Sequence, residues 1–127
     1  NVLYQNPQYG DVIVAGKDTF DNGKPIIKRV IATEGQTVDI DFEKGIVYVD
    51  GVALEEPYVK TPTNLYFDIT FPVNVPDNCV FVLGDNRNDS KDSRTSSIGD
   101  NGQVDVKYIL GHAVLRVFPL NKFGGLD

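Results

Sequence analysis

Gly84-Asp85-Asn86-Arg87-Asn88-Asp89-Ser90-Lys91-Asp92-Ser93-Arg94 follows directly on the apolar run Cys79-Val80-Phe81-Val82-Leu83. Such a short run, closed by a glycine and a polar cluster, reads as a buried strand feeding a tight loop. Gly84 permits a positive φ, and the Asp and Asn side chains that follow hydrogen-bond locally to hold turns. Polar groups this dense are tolerated against a core only when they satisfy one another. The stretch carries acids, guanidinium groups and hydroxyls enough for a self-paired network. A plain surface loop is the alternative reading of the same residues.

Outside this stretch, strand signals dominate. Val, Ile, Tyr, Phe and Thr are abundant, and 12 Gly and 7 Pro cut the chain into short segments, so an all-β fold is expected. A length of 127 residues fits one domain, 1–127, with a real core. At 41% hydrophobic and 24% charged residues the chain is not disordered in composition. A net charge of -6 with no Lys/Arg cluster argues against a nucleic-acid partner. The lone Cys79 cannot form an internal disulfide and is expected as a buried thiol in its apolar strand. No apolar run approaches the roughly 20 residues that span a bilayer.

Taken in order, Asn1–Tyr9 is polar and turn-like, and Gly10-Asp11 opens a strand over Val12–Ala15. Residues Gly16–Pro25 read as a loop with Asn22-Gly23 as its turn, and Ile26–Ala32 as the next strand. Val38–Phe42, Ile46–Val49 and Val52–Leu54, joined by Glu43-Lys44-Gly45 and Asp50-Gly51, predict a three-stranded meander. Glu55–Val75, with its prolines, is expected as extended pieces joined by loops, its aromatics either closing the core or lining a groove. Thr95–Gly102 is a polar loop, Val104–Leu110 is either a helical turn or a strand, Gly111–Phe118 is a last strand and Pro119–Asp127 a loose tail.

The strand at 26–32 carries the chemistry. Alternation puts Ile26, Lys28 and Val30 on one face and Ile27, Arg29 and Ile31 on the other, so each cation is flanked by aliphatic groups. An edge strand offering both cations to water is one reading. The other holds at least one of them in a poorly solvated cleft. Burial among apolar groups favours a neutral amine, the state in which lysine acts as a general base, whereas guanidinium stays protonated. A hydroxyl such as Ser90 could orient the amine. The four serines are Ser90, Ser93, Ser96 and Ser97, all in one short stretch. His112, the single histidine, has no acid or cysteine near it in sequence, and neither a metal site nor a phosphate-binding glycine loop is indicated.

Gly84-Asp85-Asn86-Arg87-x-x-Ser90-x-Asp92-Ser93-Arg94 resembles the signature of bacterial type I signal peptidases, membrane-anchored Ser–Lys endopeptidases of protein export. Tyr9-Gly10-Asp11-Val12-Ile13-Val14, Ile27-Lys28-Arg29-Val30-Ile31, Val47-Tyr48-Val49-Asp50-Gly51 and Gly111-His112-Ala113 fall in that family's order. The resemblance covers nearly the whole chain. It implies the family's β fold, of short and mostly antiparallel strands with long loops.

Carried to these positions, the resemblance makes Lys28 the general base and Ser90 the hydroxyl that orients it. It makes Asp92 and Arg94 a bracing ion pair, gives Asp85 and Arg87 the shaping of the same loop, and sets Arg29 beside the base on the opposite strand face. The partners implied are signal peptides of exported preproteins and a membrane, reached through an anchor upstream, with the catalytic domain extracytoplasmic. No cofactor is implied. The family's Ser-Met-x-Pro nucleophile motif is not among these residues, so this polypeptide is expected to be an inactive fragment. After Lys28-Arg29 the family usually reads Gly-x-Pro-Gly-Asp, and here Ala32-Thr33-Glu34-Gly35-Gln36 stands instead. The alternatives are a self-cleaving repressor-type Ser–Lys domain and a noncatalytic β-rich binding module on the same scaffold.

Overall fold

The computed structural model describes residues 6–17, 23–59 and 61–114. Among them lie nine strands: β1 (Asp11–Ala15), β2 (Ile26–Thr33), β3 (Thr37–Asp41), β4 (Ile46–Val49), β5 (Val52–Ala53), β6 (Val73–Asn74), β7 (Cys79–Leu83), β8 (Val104–Asp105) and β9 (Ile109–Val114). A 3-10 turn at Val106–Tyr108 follows β8, its start capped by the Asp105 carboxylate on the Lys107 amide. The segment 104–110 is thus a strand, a turn and a second strand in succession. Asn22 of the expected Asn22-Gly23 turn, the strand beyond Val114 and the tail at 119–127 lie outside the described residues.

The strands form two antiparallel sheets, one ordered β8-β7-β2-β1-β9 and the other β5-β4-β3-β6. The second is the expected meander plus β6, a two-residue strand from the proline-rich segment that pairs with β3. In the first, β2 lies in the centre, which overturns the edge-strand reading of 26–32. The reason lies in β7, whose two faces are both apolar. Val80 and Val82 join Ile13, Val30, Ile98 and Ile109 in one core, and Phe81 and Leu83 join Ile31, Val38, Ile40 and Val47 in another. A strand buried on both faces has its backbone N–H and C=O groups cut off from water as well, so both its edges must pair, and β2 takes one of them.

The aromatics of the proline-rich segment close the second core. Phe71 meets Phe81 edge-on at 5.9 Å and Phe42 at 5.6 Å. Phe81 is fully buried, so its truncation to alanine costs about 3–5 kcal/mol. Cys79, expected as a buried thiol, is half-buried instead because it starts β7 opposite Asp105 near the sheet's margin. Its thiol is pushed up from the ordinary range, by partial burial first and then by Asp105, Asp100 and Glu34.

Two turns bear on the site. At Gly45, φ is +74°, and a side chain there would press on Pro62 and on the Thr63 amide, 2.9 Å from the added carbon. The Thr63 amide donates to the Gly45 carbonyl at 2.9 Å, so this glycine lets the 61–64 segment lie against the β3–β4 hairpin. The turn after β2 is closed by Gln36, whose amide donates to the Thr33 carbonyl at 3.1 Å and whose Oε1 accepts from the Thr33 amide at 2.9 Å.

Candidate active site

The site grows from the pairing of β2 with its neighbours. Lys28 is in register with Ile13 of β1, and Arg29 with Leu83 of β7. Continuing that antiparallel register sets Gly84, where β7 ends, opposite Lys28. The polar loop therefore begins beside the lysine, although 55 positions separate Gly84 from Arg29 in the chain. Lys28 is 2% exposed, with the aliphatic Ile26 and Val30 on its own face. Its Nζ donates to Ser90 Oγ at 2.8 Å. A cavity of about 550 Å³ opens beside the pair, lined by Ile26, Lys28, Leu65, Phe67, Ser90 and Lys91 among others.

The loop is folded back on β7 by its own polar groups, which is why it can be buried. The Ser93 amide donates to the Val82 carbonyl at 3.0 Å, and its Oγ accepts from the Val82 amide at 2.9 Å. Asp92 takes the Gly84 amide on Oδ2 at 3.0 Å and the Arg94 guanidinium on both oxygens at 2.9 Å. Arg94 also donates to the carbonyls of Arg87 at 2.9 Å and Leu65 at 2.8 Å. Arg87 Nε reaches the Gly84 carbonyl at 2.6 Å. Asp92, Arg94 and Arg87 are 0% exposed, so this is a network of desolvated charges, each with bonded partners.

Two further contacts tie the loop to the rest of the chain. Arg29 leaves the opposite face of β2 and grips Asp85 through Nε–Oδ1 and Nη2–Oδ2 bonds, both 3.0 Å. Its Nη1 donates to the Gly10 carbonyl at 2.9 Å, and its guanidinium lies 4.1 Å from the centre of the Tyr58 ring. Arg87 pairs with Glu56 at 3.0 and 2.7 Å and with the Thr63 hydroxyl at 2.8 Å. Burial alone would lower the Arg87 pKa, but the bonds and charge of Glu56 more than offset it and hold it above the usual guanidinium value.

Sequence reasoning singled out Lys28, Arg29, Asp85, Arg87, Ser90, Asp92 and Arg94, and the structure gathers all seven around one loop. Glu56, Thr63 and the Gly10 carbonyl went unnoticed, and Tyr58 stood only among the aromatics expected to close the core or line a groove. Tyr58 is 2% exposed, and its hydroxyl meets Tyr9 at 2.9 Å and Glu56 at 3.3 Å. Burial, then Glu56 and Tyr9, push the Tyr58 phenol far above the usual tyrosine range. No count in the sequence called for Glu56, because the three acids of the loop, Asp85, Asp89 and Asp92, already outnumber its two guanidinium groups.

His112 is exposed on β9, opposite Ile13 and so one strand removed from Lys28. Among the described residues no cluster of three or more His, Cys, Asp and Glu side chains is placed to hold a metal. No helix among them is long and apolar enough to cross a membrane.

A buried lysine amine bonded to a serine hydroxyl thus lies beside an open cleft on a two-sheet β scaffold. The family model described as signal peptidase, peptidase S26, matches residues 2–118, and the chain belongs to that family. A probable signal peptidase I-1 of Synechocystis sp. is 41% identical over 129 residues, covering 97% of this chain and 61% of that protein. The thylakoidal processing peptidase 1 of Arabidopsis thaliana is 34% identical, over 95% of this chain and 30% of its own length. In the crystal structure of a signal peptidase I from Enterococcus faecalis V583, 97% of the chain superposes on 85% of this one, with TM-score 0.63 and 30% identity. The chain thus spans less than two thirds of the length of each of these two curated relatives.

Proposed function

We propose that this chain is the catalytic β domain of a type I signal peptidase, a serine endopeptidase that removes signal peptides from exported preproteins by a Ser–Lys dyad. Lys28 is the general base and Ser90 the hydroxyl that holds its amine in position. The observation that carries this is the 2.8 Å bond between Lys28 Nζ and Ser90 Oγ, beside a cavity of about 550 Å³. As a neutral amine, Lys28 takes the proton of an attacking hydroxyl and returns it to the leaving amine. Asp92–Arg94 and Arg29–Asp85 brace the loop that carries Ser90.

The nucleophile in this proposal is a serine upstream of Asn1, on a segment preceded by a membrane anchor, with the domain on the extracytoplasmic side. Ser93 is occupied with the Val82 amide, and Ser96 with Asp68. Ser90 alone among the four serines is bonded to Lys28.

The test is cleavage of a preprotein in detergent, by the 127-residue chain and by the natural protein that contains it. The short chain is expected to be inert and the longer one active, with Lys28→Ala abolishing activity. Turnover by the short chain that is lost in Ser90→Ala would make Ser90 the nucleophile and overturn its orienting role.

A further inference from the structure

The cleft beside Lys28 has a second wall that belongs to neither β2 nor the polar loop. Leu65, Tyr66 and Phe67 run past its mouth with their side chains parting on alternate sides. Leu65 and Phe67 line the cavity, and Tyr66 turns away to meet Phe42 edge-on at 5.8 Å. Leu65 is 41% exposed and Phe67 36%, in a cavity whose other lining includes Pro25, Ile26 and Ile27.

This wall is fixed to the loop that carries Ser90. The Leu65 carbonyl accepts from Arg94 Nη1 at 2.8 Å, and the Ile69 amide donates to the Arg94 carbonyl at 3.2 Å. The Arg94 guanidinium stands 5.2 Å from the centre of the Phe67 ring. One residue on, Asp68 accepts from the amide and the hydroxyl of Ser96, and these bonds hold its carboxyl below the usual aspartate range. An incidental apolar surface needs no such anchoring. Here two half-exposed apolar side chains are held at a set distance from the Lys28–Ser90 pair, which suits contact with something bound between them.

We infer that Leu65 and Phe67 are specificity-determining residues that receive an apolar side chain of the peptide near its scissile bond, an inference that rests on the peptidase reading. An extended peptide turns successive side chains to opposite sides. One lying in the slot therefore directs a side chain at the Leu65–Phe67 wall while its neighbours face β2. Arg94 acts as a positioning residue, since it sets the distance from this wall to the Ser90 loop.

The experiment uses the full natural chain and peptides that span the cleavage site, with the scissile amide nitrogen methylated so that they bind without being cut. Each position flanking the bond is changed in turn from Ala to Leu, and affinity is read by calorimetry. Wild type is expected to favour Leu at one position by about 10-fold or more, the size of a single apolar contact. Leu65→Ala and Phe67→Ala should each erase most of that preference and leave the other positions alone. Tyr66→Ala should keep it. The inference is overturned if no position shows a preference, or if Leu65→Ala and Phe67→Ala weaken every peptide alike, as a purely structural role would. Lys28→Ala, assayed in parallel on the unmethylated peptide, separates the two ideas. Surviving cleavage there sinks the Ser–Lys reading, whereas the wall stands or falls by binding alone.

Discussion

Arg29 and Asp85 meet through two parallel hydrogen bonds of 3.0 Å, both side chains shut off from water. Arg29 is the strand neighbour of Lys28, and Asp85 stands at the head of the loop that carries Ser90. The pair therefore locks together the two segments whose separation sets the Lys28–Ser90 distance. Tyr58 stacks over the guanidinium and closes the pair against solvent.

Removing one partner leaves an uncompensated buried charge. Asp85→Ala is expected to cost about 3–5 kcal/mol, read as a lowered urea midpoint. Arg29→Lys keeps the charge but cannot make the two-pronged contact, and is expected to fall between wild type and Asp85→Ala. An unchanged midpoint in Asp85→Ala would show that the pair braces nothing.

The Asp92–Arg94 pair is fully buried as well and joins β7, the loop and the 65–69 segment. Asp92→Ala and Arg94→Ala should each destabilise by about 3–5 kcal/mol. Because they share partners, the double variant should cost clearly less than the two singles together. Strict additivity would mean that the two side chains act independently.

For the proposed chemistry, Lys28→Arg is the sharper substitution. It keeps a basic group and much of the bulk but stays protonated, so it cannot accept a proton. In the natural enzyme it should be as inactive as Lys28→Ala. Ser90→Ala should lower kcat while leaving measurable activity, since the amine remains but loses its anchor. Near-normal turnover in Lys28→Arg would rule out the base assignment.

Tyr58 gives a pH dependence of definite sign. Its folded-state pKa lies above that of the unfolded chain, so the fold holds the phenolic proton more tightly. The stability this contributes is complete below about pH 10 and is lost as pH climbs above it. Between pH 10 and 11, wild type should lose up to about 1.4 kcal/mol per pH unit relative to Tyr58→Phe, whose other titrating groups are the same. Parallel denaturation curves across that interval would show that the phenol is not held in its neutral form.

The sequence by itself determined most of the strands, though not β6, and most of the polar residues of the site. Val80–Leu83, apolar on both faces, announced a buried strand, and the dense charges of 85–94 announced a loop whose polar groups need partners. Periods and turn residues are local signals that survive without knowledge of partners. The resemblance of the 84–94 stretch to the signal-peptidase signature then linked Lys28 to Ser90. Only the tertiary structure decided which charge meets which. Alternation placed Lys28 and Arg29 on opposite faces but left open whether water or protein awaited them. The answer came from the strand order, with β2 lying between β1 and β7. Asp85 and Arg87 could have paired within their loop, yet each reaches outward, to Arg29 and to Glu56. Glu56, Tyr58, Leu65 and Phe67 come from a proline-rich segment with no periodicity, so no local pattern could assign them to the site. Their positions follow from long-range pairing, which is fixed by packing two sheets around two cores and is not encoded in any short stretch of the chain.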